Sequence, residues 1–168
     1  TTPAWEKTDK LADAAWVVTC TRAGRDHLNT LARGRAVELV HHGIDTSRFP
    51  PPPAREAAGA NPVTILSVGR AVAKKGHDDL LHALAQLPPA PAWRFVHVGG
   101  GPLLRQLKQL AEKLGIAARI EWRGSRAEDE VRAAYREADL FALASRITDD
   151  GDRDGIPNVI LEAMTGTP

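Results

Sequence analysis

Short apolar runs alternate with amphipathic stretches along most of the chain. Ala15–Cys20 (AWVVTC), Ala36–His41 (AVELVH), Val63–Val68 (VTILSV), Trp93–Val98 (WRFVHV), Arg119–Trp122 and Leu140–Ala144 predict strands. Arg22–Arg33, His77–Leu87, Pro102–Leu114, Glu128–Ala138 and Pro157–Thr165 predict helices between and after them. The helical period is clearest in Pro102–Leu114. There Leu103, Leu104, Leu107, Leu110, Ala111 and Leu114 share one face, and Gly115 follows as the stop. His77–Leu87 likewise carries Leu80, Leu81, Leu84 and Leu87 on one face, and Pro157 suits the first turn of the last helix. Strands this apolar are buried on both faces, and helices between them imply parallel crossovers. The predicted fold class is α/β, a doubly wound, Rossmann-like parallel sheet.

One stretch breaks the alternation. His42–Asn61 holds Gly43, Gly59 and the run Pro50–Pro53, which favours polyproline II and continues neither a helix nor a central strand. Residues 49–62 are expected to form a linker between a segment 1–48 and a segment 63–168. The sequence opens and closes mid-pattern, as expected of a domain cut at both ends. No internal repeat is visible.

Composition narrows the classes. A chain of 168 residues fits one domain, or one domain and part of another. At that size roughly 70% of the unfolded surface is buried. Lys and Arg number 22 against 21 Asp and Glu, a net charge of +1, and the basic residues are scattered. No field draws such a chain to nucleic acid or an acidic membrane, so a nucleic-acid partner is not expected. Cys20 is the single cysteine, which excludes an internal disulfide and a cysteine-based zinc site. No apolar run reaches the ~18 residues of a membrane span. Thr1–Lys10 is polar and lacks the apolar core of a signal peptide. A cytoplasmic protein is expected.

In open α/β sheets ligands bind where strands end, so the turns after strands are where chemistry belongs. Three such turns are polar and rich in glycine. After Val63–Val68 comes Gly69-Arg70-Ala71-Val72-Ala73-Lys74-Lys75-Gly76. Arg70 and Lys75 could converge on an anion at the start of the helix beginning near His77, or be two solvated basic residues. After Trp93–Val98 comes Gly99-Gly100-Gly101-Pro102, which permits close approach of a ligand to backbone or is simply a permissive turn. Leu104 stands where a dinucleotide fingerprint needs its third glycine, and no Walker A loop occurs. After Leu140–Ala144 comes Asp149-Asp150-Gly151-Asp152-Arg153-Asp154-Gly155. Asp150, Asp152, Asp154 and Gly155 match part of a calcium loop, but Leu161 occupies the place of its bidentate Glu and Pro157 that of its apolar strand residue.

The same loop has a second reading. Asp154 precedes the last helix and Glu162 lies inside it, where helical side chains lean back toward the N-terminus. Carboxylates repel anions and only accept hydrogen bonds, so their partners are hydroxyl groups such as those of ribose and sugars. Arg70 and Lys75 would balance phosphate, and the N–H groups of Gly155 and Ile156 would add donors. Together the three turns describe a nucleotide-sugar site.

These residues resemble the donor-binding half of family-4 retaining glycosyltransferases, which have the GT-B fold (glycosyl transferases group 1). Val68-Gly69-Arg70 with Lys75-Gly76 is similar to the family's Gly-Arg…Lys-Gly signature. Val98–Pro102 resembles its Val-Gly-x-Gly-Pro turn. Glu121–Gly124 (EWRG) resembles the segment whose backbone lines the base pocket, which nominates Arg123 and Gly124. Ala138-Asp139-Leu140…Ala144-Ser145 resembles its penultimate strand. Asp154–Glu162 (DGIPNVILE) resembles its Glu–seven residues–Glu motif.

The resemblance implies Arg70, Lys75 and Asp154 as catalytic residues. It implies Gly69, Arg70, Lys75, Gly100, Gly101, Arg123, Gly124, Asp154, Gly155, Ile156, Pro157, Asn158 and Glu162 as donor-binding residues. Glu162 is assigned to the ribose hydroxyls and Asp154 to the transferred sugar, and Asp154 stands where the family has Glu. The implied reaction moves a hexose from a nucleoside diphosphate sugar to a saccharide or lipid-linked acceptor, without metal or cofactor. The motif around Asp154, with His41-His42-Gly43-Ile44-Asp45, resembles bacterial enzymes of exopolysaccharide synthesis, which work in the cytoplasm or peripherally on the inner face of the membrane. Residues 1–48 are then the tail of an acceptor-binding domain with its hinge strand, and 63–168 the donor domain. The family's catalytic histidine belongs to the rest of the acceptor domain. His41, His42, His27, His77, His82 and His97 do not take its place: His27, His82 and His97 are expected at the surface or in the core, and His77, at a helix start, could touch phosphate, a structural role being the commoner outcome. A nucleotide-sugar epimerase of the same architecture and a non-catalytic phosphate- or calcium-binding module are the alternatives.

Overall fold

The structure, a computed structural model, describes residues 4–49 and 62–166. The expected linker therefore lies, apart from its ends, outside the described residues. The first segment runs α1 (Ala4–Asp13), β1 (Val17–Thr19), α2 (Arg22–Leu31) and β2 (Val37–Leu39). β1 and β2 pair in parallel, Val17 opposite Val37. Thr21 starts α2 because its hydroxyl accepts the Gly24 N–H at 2.9 Å. α1 (AWEKTDKLAD) was not expected, because it has too few apolar positions to form a readable stripe.

The second segment runs β3 (Val63–Val68), α3 (His77–Ala85), β4 (Trp93–Val98), α4 (Leu104–Lys113), β5 (Ile120–Gly124), α5 (Glu128–Glu137), β6 (Leu140–Phe141) and α6 (Asn158–Gly166). Its four strands pair in parallel in the order β5-β4-β3-β6. Alternate residues of the central strands feed opposite cores. Ile65, Trp93 and Phe95 face α3 and α4 and meet Leu81, Leu84, Leu107 and Ala111. Leu66, Val68, Val96 and Val98 face α5 and α6 and meet Ala134, Tyr135, Ala138 and Ala163. Helices thus cover both faces, as a doubly wound sheet requires.

Several boundaries move. α4 begins at Leu104, and α6 at Asn158 with the Pro157 carbonyl accepting its first bond from Ile160 at 3.0 Å. β5 begins only at Ile120, because a single 3-10 turn, Ala117–Arg119, takes up Arg119, and it runs on to Gly124. β6 stops at Phe141, and one further backbone bond joins Ala142 N–H to Leu66 at 2.8 Å. The segment expected to finish this strand leaves the sheet instead.

A polar island lies in the α3–α4 side of the sheet, near the carboxyl ends of β3 and β4. His97 of β4 is wholly buried and His77 of α3 nearly so. Their Nε2 atoms are 3.4 Å apart, and the rings meet edge to face at 4.6 Å, with Trp122 at 5.3 Å from His97. One hydrogen serves the Nε2 pair, and both Nδ1 atoms lack a partner among the described residues. Burial holds both imidazoles below their ordinary value of 6.5, His97 to about 3, with the His77 ring adding to the effect there.

A folded-state pKa below the unfolded one means stability is complete above pH 6.5 and falls as the pH drops toward 3. The His97 contribution to that loss is about 2 kcal/mol between pH 7.5 and 5. Urea unfolding at both pH values should show a shallower decline in His97→Gln than in the parent. Equal slopes in the two proteins would refute a neutral buried His97.

Candidate functional site

The sheet order reverses direction beside β3. β3, β4 and β5 proceed one way, and the chain then crosses back to lay β6 on the other side of β3. A crevice opens at such a switch point, beyond the carboxyl ends of the two flanking strands. Two loops border it here: residues 69–76 after β3, and 142–157 after β6.

The loops are locked backbone to backbone. Gly76 sits at φ 59° between a single 3-10 turn (Ala73–Lys75) and α3. A Cβ there would stand 1.9 Å from the Ala144 carbonyl oxygen, so only glycine permits the approach. The Arg146 N–H donates to the Lys74 carbonyl at 2.9 Å. The glycine-rich turn after β4 packs on the first loop in the same way. At Gly99, φ 151°, a Cβ would stand 1.9 Å from the Gly69 carbonyl oxygen, and the Ala71 N–H donates to Gly100 at 2.8 Å.

Charge then crosses the crevice. Lys75 Nζ lies 2.7 Å from Asp154 Oδ2, with both side chains mostly buried. Lys74 Nζ lies 3.2 Å from Asp152 and 3.7 Å from Asp154. The Ser145 hydroxyl donates to Asp154 at 3.3 Å. Burial alone would raise the Asp154 pKa. The Lys75 hydrogen bond and the charges of Lys75 and Lys74 outweigh it and hold the carboxyl below its usual 3.8. The Lys75 stem runs over Gly69, where a Cβ would meet its Cδ and Cε at 3.6 Å. Arg70 is exposed, and its side chain makes no hydrogen bond or ion pair among the described residues.

The expected residues divide accordingly. Lys75 and Asp154 are in contact, with Gly69 beside them. Gly155 and Ile156 are exposed next to Asp154, with Pro157 leading into α6. Asn158 accepts a hydrogen bond from His42 Nδ1 at 3.1 Å, which ties the first segment to the start of α6. Glu162 sits apart from this cluster, held by the Tyr135 hydroxyl at 3.0 Å. Arg123 is turned to the scaffold: Glu121 at 2.9 Å and Glu137 at 3.0 Å grip it and raise its pKa. Gly124, at φ 67°, gives its carbonyl to the Gly99 N–H, and Gly100 and Gly101 lie against Ser125 and Ala71.

The helix starts are not equivalent. α3 carries Asp78 and Asp79 in its first turn, held by Arg146 at 3.0 and 2.6 Å, so its positive end is already answered. α6 has no acidic residue in its first turn. An anion in the crevice would therefore meet α6 rather than α3, beside Lys75. His77 is buried beneath the loop, 3.8 Å from where a Gly69 Cβ would stand.

A cleft of about 590 Å³ runs from Asp154 to the first segment, between the start of α2 (Thr21, Gly24, His27) and the second loop (Ser145, Arg153, Gly155). Lys74, Ser145 and Tyr135 were missed in the sequence. Lys74 adjoins Lys75 and could have been nominated with it, but Ser145 and Tyr135 reach the carboxylates only through tertiary packing. The calcium arrangement does not form. Asp152 and Asp154 turn to lysines, Asp150 accepts from Thr148, and no three His, Cys, Asp or Glu side chains gather as metal ligands among the described residues. Among the same residues no helix is long and apolar enough to cross a membrane.

Comparison with known proteins follows the same lines. WcaL of Escherichia coli K12, named for a colanic acid biosynthesis glycosyltransferase, is 33% identical over 164 residues, 97% of this chain and 40% of WcaL. A GDP-mannose-dependent phosphatidylinositol monomannoside mannosyltransferase of Mycobacterium tuberculosis is 36% identical over 143 residues, 79% of this chain and 37% of that enzyme. The chain thus spans about two fifths of the length of these curated relatives. Among solved structures, Anabaena Alr3699/HepE in complex with UDP superposes with a TM-score of 0.71 at 28% identity, over 92% of this chain and 44% of that one. Sucrose-phosphate synthase of Thermosynechococcus elongatus shares the fold, with a TM-score of 0.78 at 22% identity over 98% of this chain and 42% of that one. The glycosyl transferases group 1 model matches residues 53–168, and with these relatives it shows that the chain belongs to that family.

Proposed function

We propose that this chain is the donor-binding part of a retaining glycosyltransferase that moves a hexose from a nucleoside diphosphate sugar to a saccharide or lipid-linked acceptor in bacterial surface-polysaccharide synthesis. The observation that carries this reading is the switch-point crevice, where the Lys75–Asp154 pair lies beside the carboxylate-free start of α6. The names of the two relatives, a colanic acid biosynthesis glycosyltransferase and a phosphatidylinositol monomannoside mannosyltransferase, support the acceptor class.

Each residue has a role in this reading. Arg70 and Lys75 receive the diphosphate, and the first turn of α6, with the N–H groups of Gly155 and Ile156, supplies further donors. Gly69, Gly100 and Gly101 let the ligand approach backbone. The segment at Arg123 and Gly124 borders the base, and Glu162 accepts the ribose hydroxyls. Asp154 accepts from a hydroxyl of the transferred sugar. As the bond from the anomeric carbon to the diphosphate oxygen breaks, its electron pair stays on the diphosphate, the acceptor hydroxyl oxygen bonds to that carbon and gives its proton to the departing diphosphate, and the fixed cations stabilise the charge that develops there. Those cations take the place of a metal, so the reaction needs no metal and no cofactor. The acceptor enters through the cleft toward α2, and the enzyme works in the cytoplasm, peripheral to the membrane.

A thermal-shift panel of UDP, GDP, ADP and their sugars tests the donor site. One nucleoside diphosphate should stabilise the protein by about 2.7 kcal/mol at 100 times its Kd, with EDTA making no difference. Arg70→Ala should fold as stably as the parent, within about 0.5 kcal/mol, because its side chain is exposed and unpaired among the described residues. It should nevertheless lose the nucleotide shift. Undiminished binding by that variant would remove Arg70 from the site.

The ion pair has its own pH signature. The Asp154 pKa is lowered, so the stabilisation by Lys75 is present above pH 3.8 and is lost as the pH falls through the lowered value. Lys75→Ala should be less stable by about 1–3 kcal/mol at pH 6, the cost of leaving a mostly buried carboxylate without its partner. The difference should shrink by pH 3. A difference independent of pH would mean the loss is packing of the lysine stem, not charge.

A further inference from the structure

Tyr135 is the only tyrosine in the chain and is wholly buried. It sits in α5 and packs its ring at 5.8 Å from Phe141, beneath the first two turns of α6. Its hydroxyl lies 3.0 Å from Glu162 Oε2 and 3.2 Å from the Val159 carbonyl oxygen. A phenol has one hydrogen to give. The carboxylate is the stronger acceptor, so the hydrogen belongs to Glu162. Burial, and then the charge of Glu162, push the Tyr135 pKa far up, so the hydroxyl remains a donor throughout the working range.

The consequence is an asymmetric carboxylate. Oε2 is occupied, while Oε1 makes no hydrogen bond among the described residues, and Glu162 is only partly buried. A glutamate on a helix can rotate about three side-chain bonds. A hydrogen bond from a rigid, fully packed phenol removes that freedom before any ligand arrives. Preorganisation of this kind lowers the cost of binding rather than adding a contact. Nothing else on the described residues holds Glu162: Lys74, Lys75, Ser145 and Arg146 are engaged with other carboxylates.

We propose that Tyr135 is the positioning residue for Glu162, pinning Oε2 so that Oε1 is presented to the vicinal hydroxyls of the donor ribose. The proposal rests on the donor-site reading above, in which Glu162 accepts from ribose. It predicts that the Tyr135 hydroxyl, which never touches the ligand, sets how strongly the protein distinguishes a ribose from its dideoxy counterpart.

The test is a titration of UDP and GDP against their 2′,3′-dideoxy forms, which differ only in the two hydroxyls. The parent should favour the ribonucleotide by about tenfold or more, the range of a charge-assisted hydrogen bond. Tyr135→Phe should reduce that preference several-fold while leaving affinity for the dideoxy form within about twofold. A purely structural role would weaken both forms alike and leave the ratio unchanged, which would overturn the proposal. Glu162→Gln separates the two levels. If it keeps the full preference, or if no nucleotide binds the parent, the donor reading of Glu162 fails and the proposal falls with it. If it loses the preference while Tyr135→Phe keeps it, the ribose reading stands and the role of Tyr135 is wrong. Because Tyr135 is the only tyrosine, uniform 3-fluorotyrosine labelling places one fluorine reporter without any substitution. Its 19F resonance should move with the ribonucleotide and stay in place with the dideoxy form. Equal movement with both would refute the proposal even if Tyr135→Phe failed to fold.

Discussion

The site depends on two backbones that touch. Gly76 and Ala144 come from loops more than sixty residues apart, and a single methyl group at Gly76 would collide with the Ala144 carbonyl. That contact fixes the distance between the loop after β3 and the loop after β6, and with it the reach from Lys75 to Asp154. The sheet order makes the contact possible by laying β6 beside β3. Gly99 repeats the device on the other side, where its lack of a side chain lets the β4 turn close on Gly69. Three loops from three strands therefore behave as one rigid rim, and the charges they carry are positioned by backbone rather than by long side chains.

The charge on that rim is arranged for exchange. Lys75 and Asp154 satisfy one another, which lets both be mostly buried without an uncompensated charge. Lys74 sits behind them and contacts both Asp152 and Asp154. In the proposed function a diphosphate would compete with Asp154 for Lys75, and Lys74 would keep Asp154 from being stranded. Asp154, standing where the resembled family has glutamate, suits the same arrangement. The shorter side chain still reaches Lys75, and Ser145 supports it from behind.

Much of this architecture was legible in the chain. Val63–Val68 and Trp93–Val98 are strands at the residues expected, because central strands of a parallel sheet are apolar on both faces and stand out from their flanks. The prolines and glycines around the helices marked their ends to within a few residues. What was hidden depends on distance. β6 ended early and Ala144 packs against Gly76 instead, a contact absent from the local pattern. Arg123 was nominated by resemblance for the base pocket, but Glu121 and, fourteen residues on, Glu137 hold its side chain. The start of α3 looked like an anion site, yet Asp78 and Asp79 bring Arg146 to it from the far loop. Local chemistry pointed to turns that the fold brings together, and only the packing could say which side chains within them are spent.

Several polar groups of the core share a placement, although Thr64, buried near the start of β3, does not. Ser67, His77, His97 and the Tyr135 hydroxyl are buried, and the first three lie at or next to the carboxyl ends of β3 and β4. The two faces of the sheet solve the resulting problem differently. On the α3–α4 face, the imidazoles pair with each other and remain uncharged, so no counter-ion is required beneath the Gly69–Gly76 loop. On the α5–α6 face, the phenol hands its hydrogen to a carboxylate that reaches toward solvent. A neutral pair supports the cationic loop without weakening its field, whereas a hydrogen-bond donor supports α6 by restraining its single carboxylate. Burying polar groups here costs stability that an apolar core would have kept, and it is accepted where the strands end and the loops that carry charge begin.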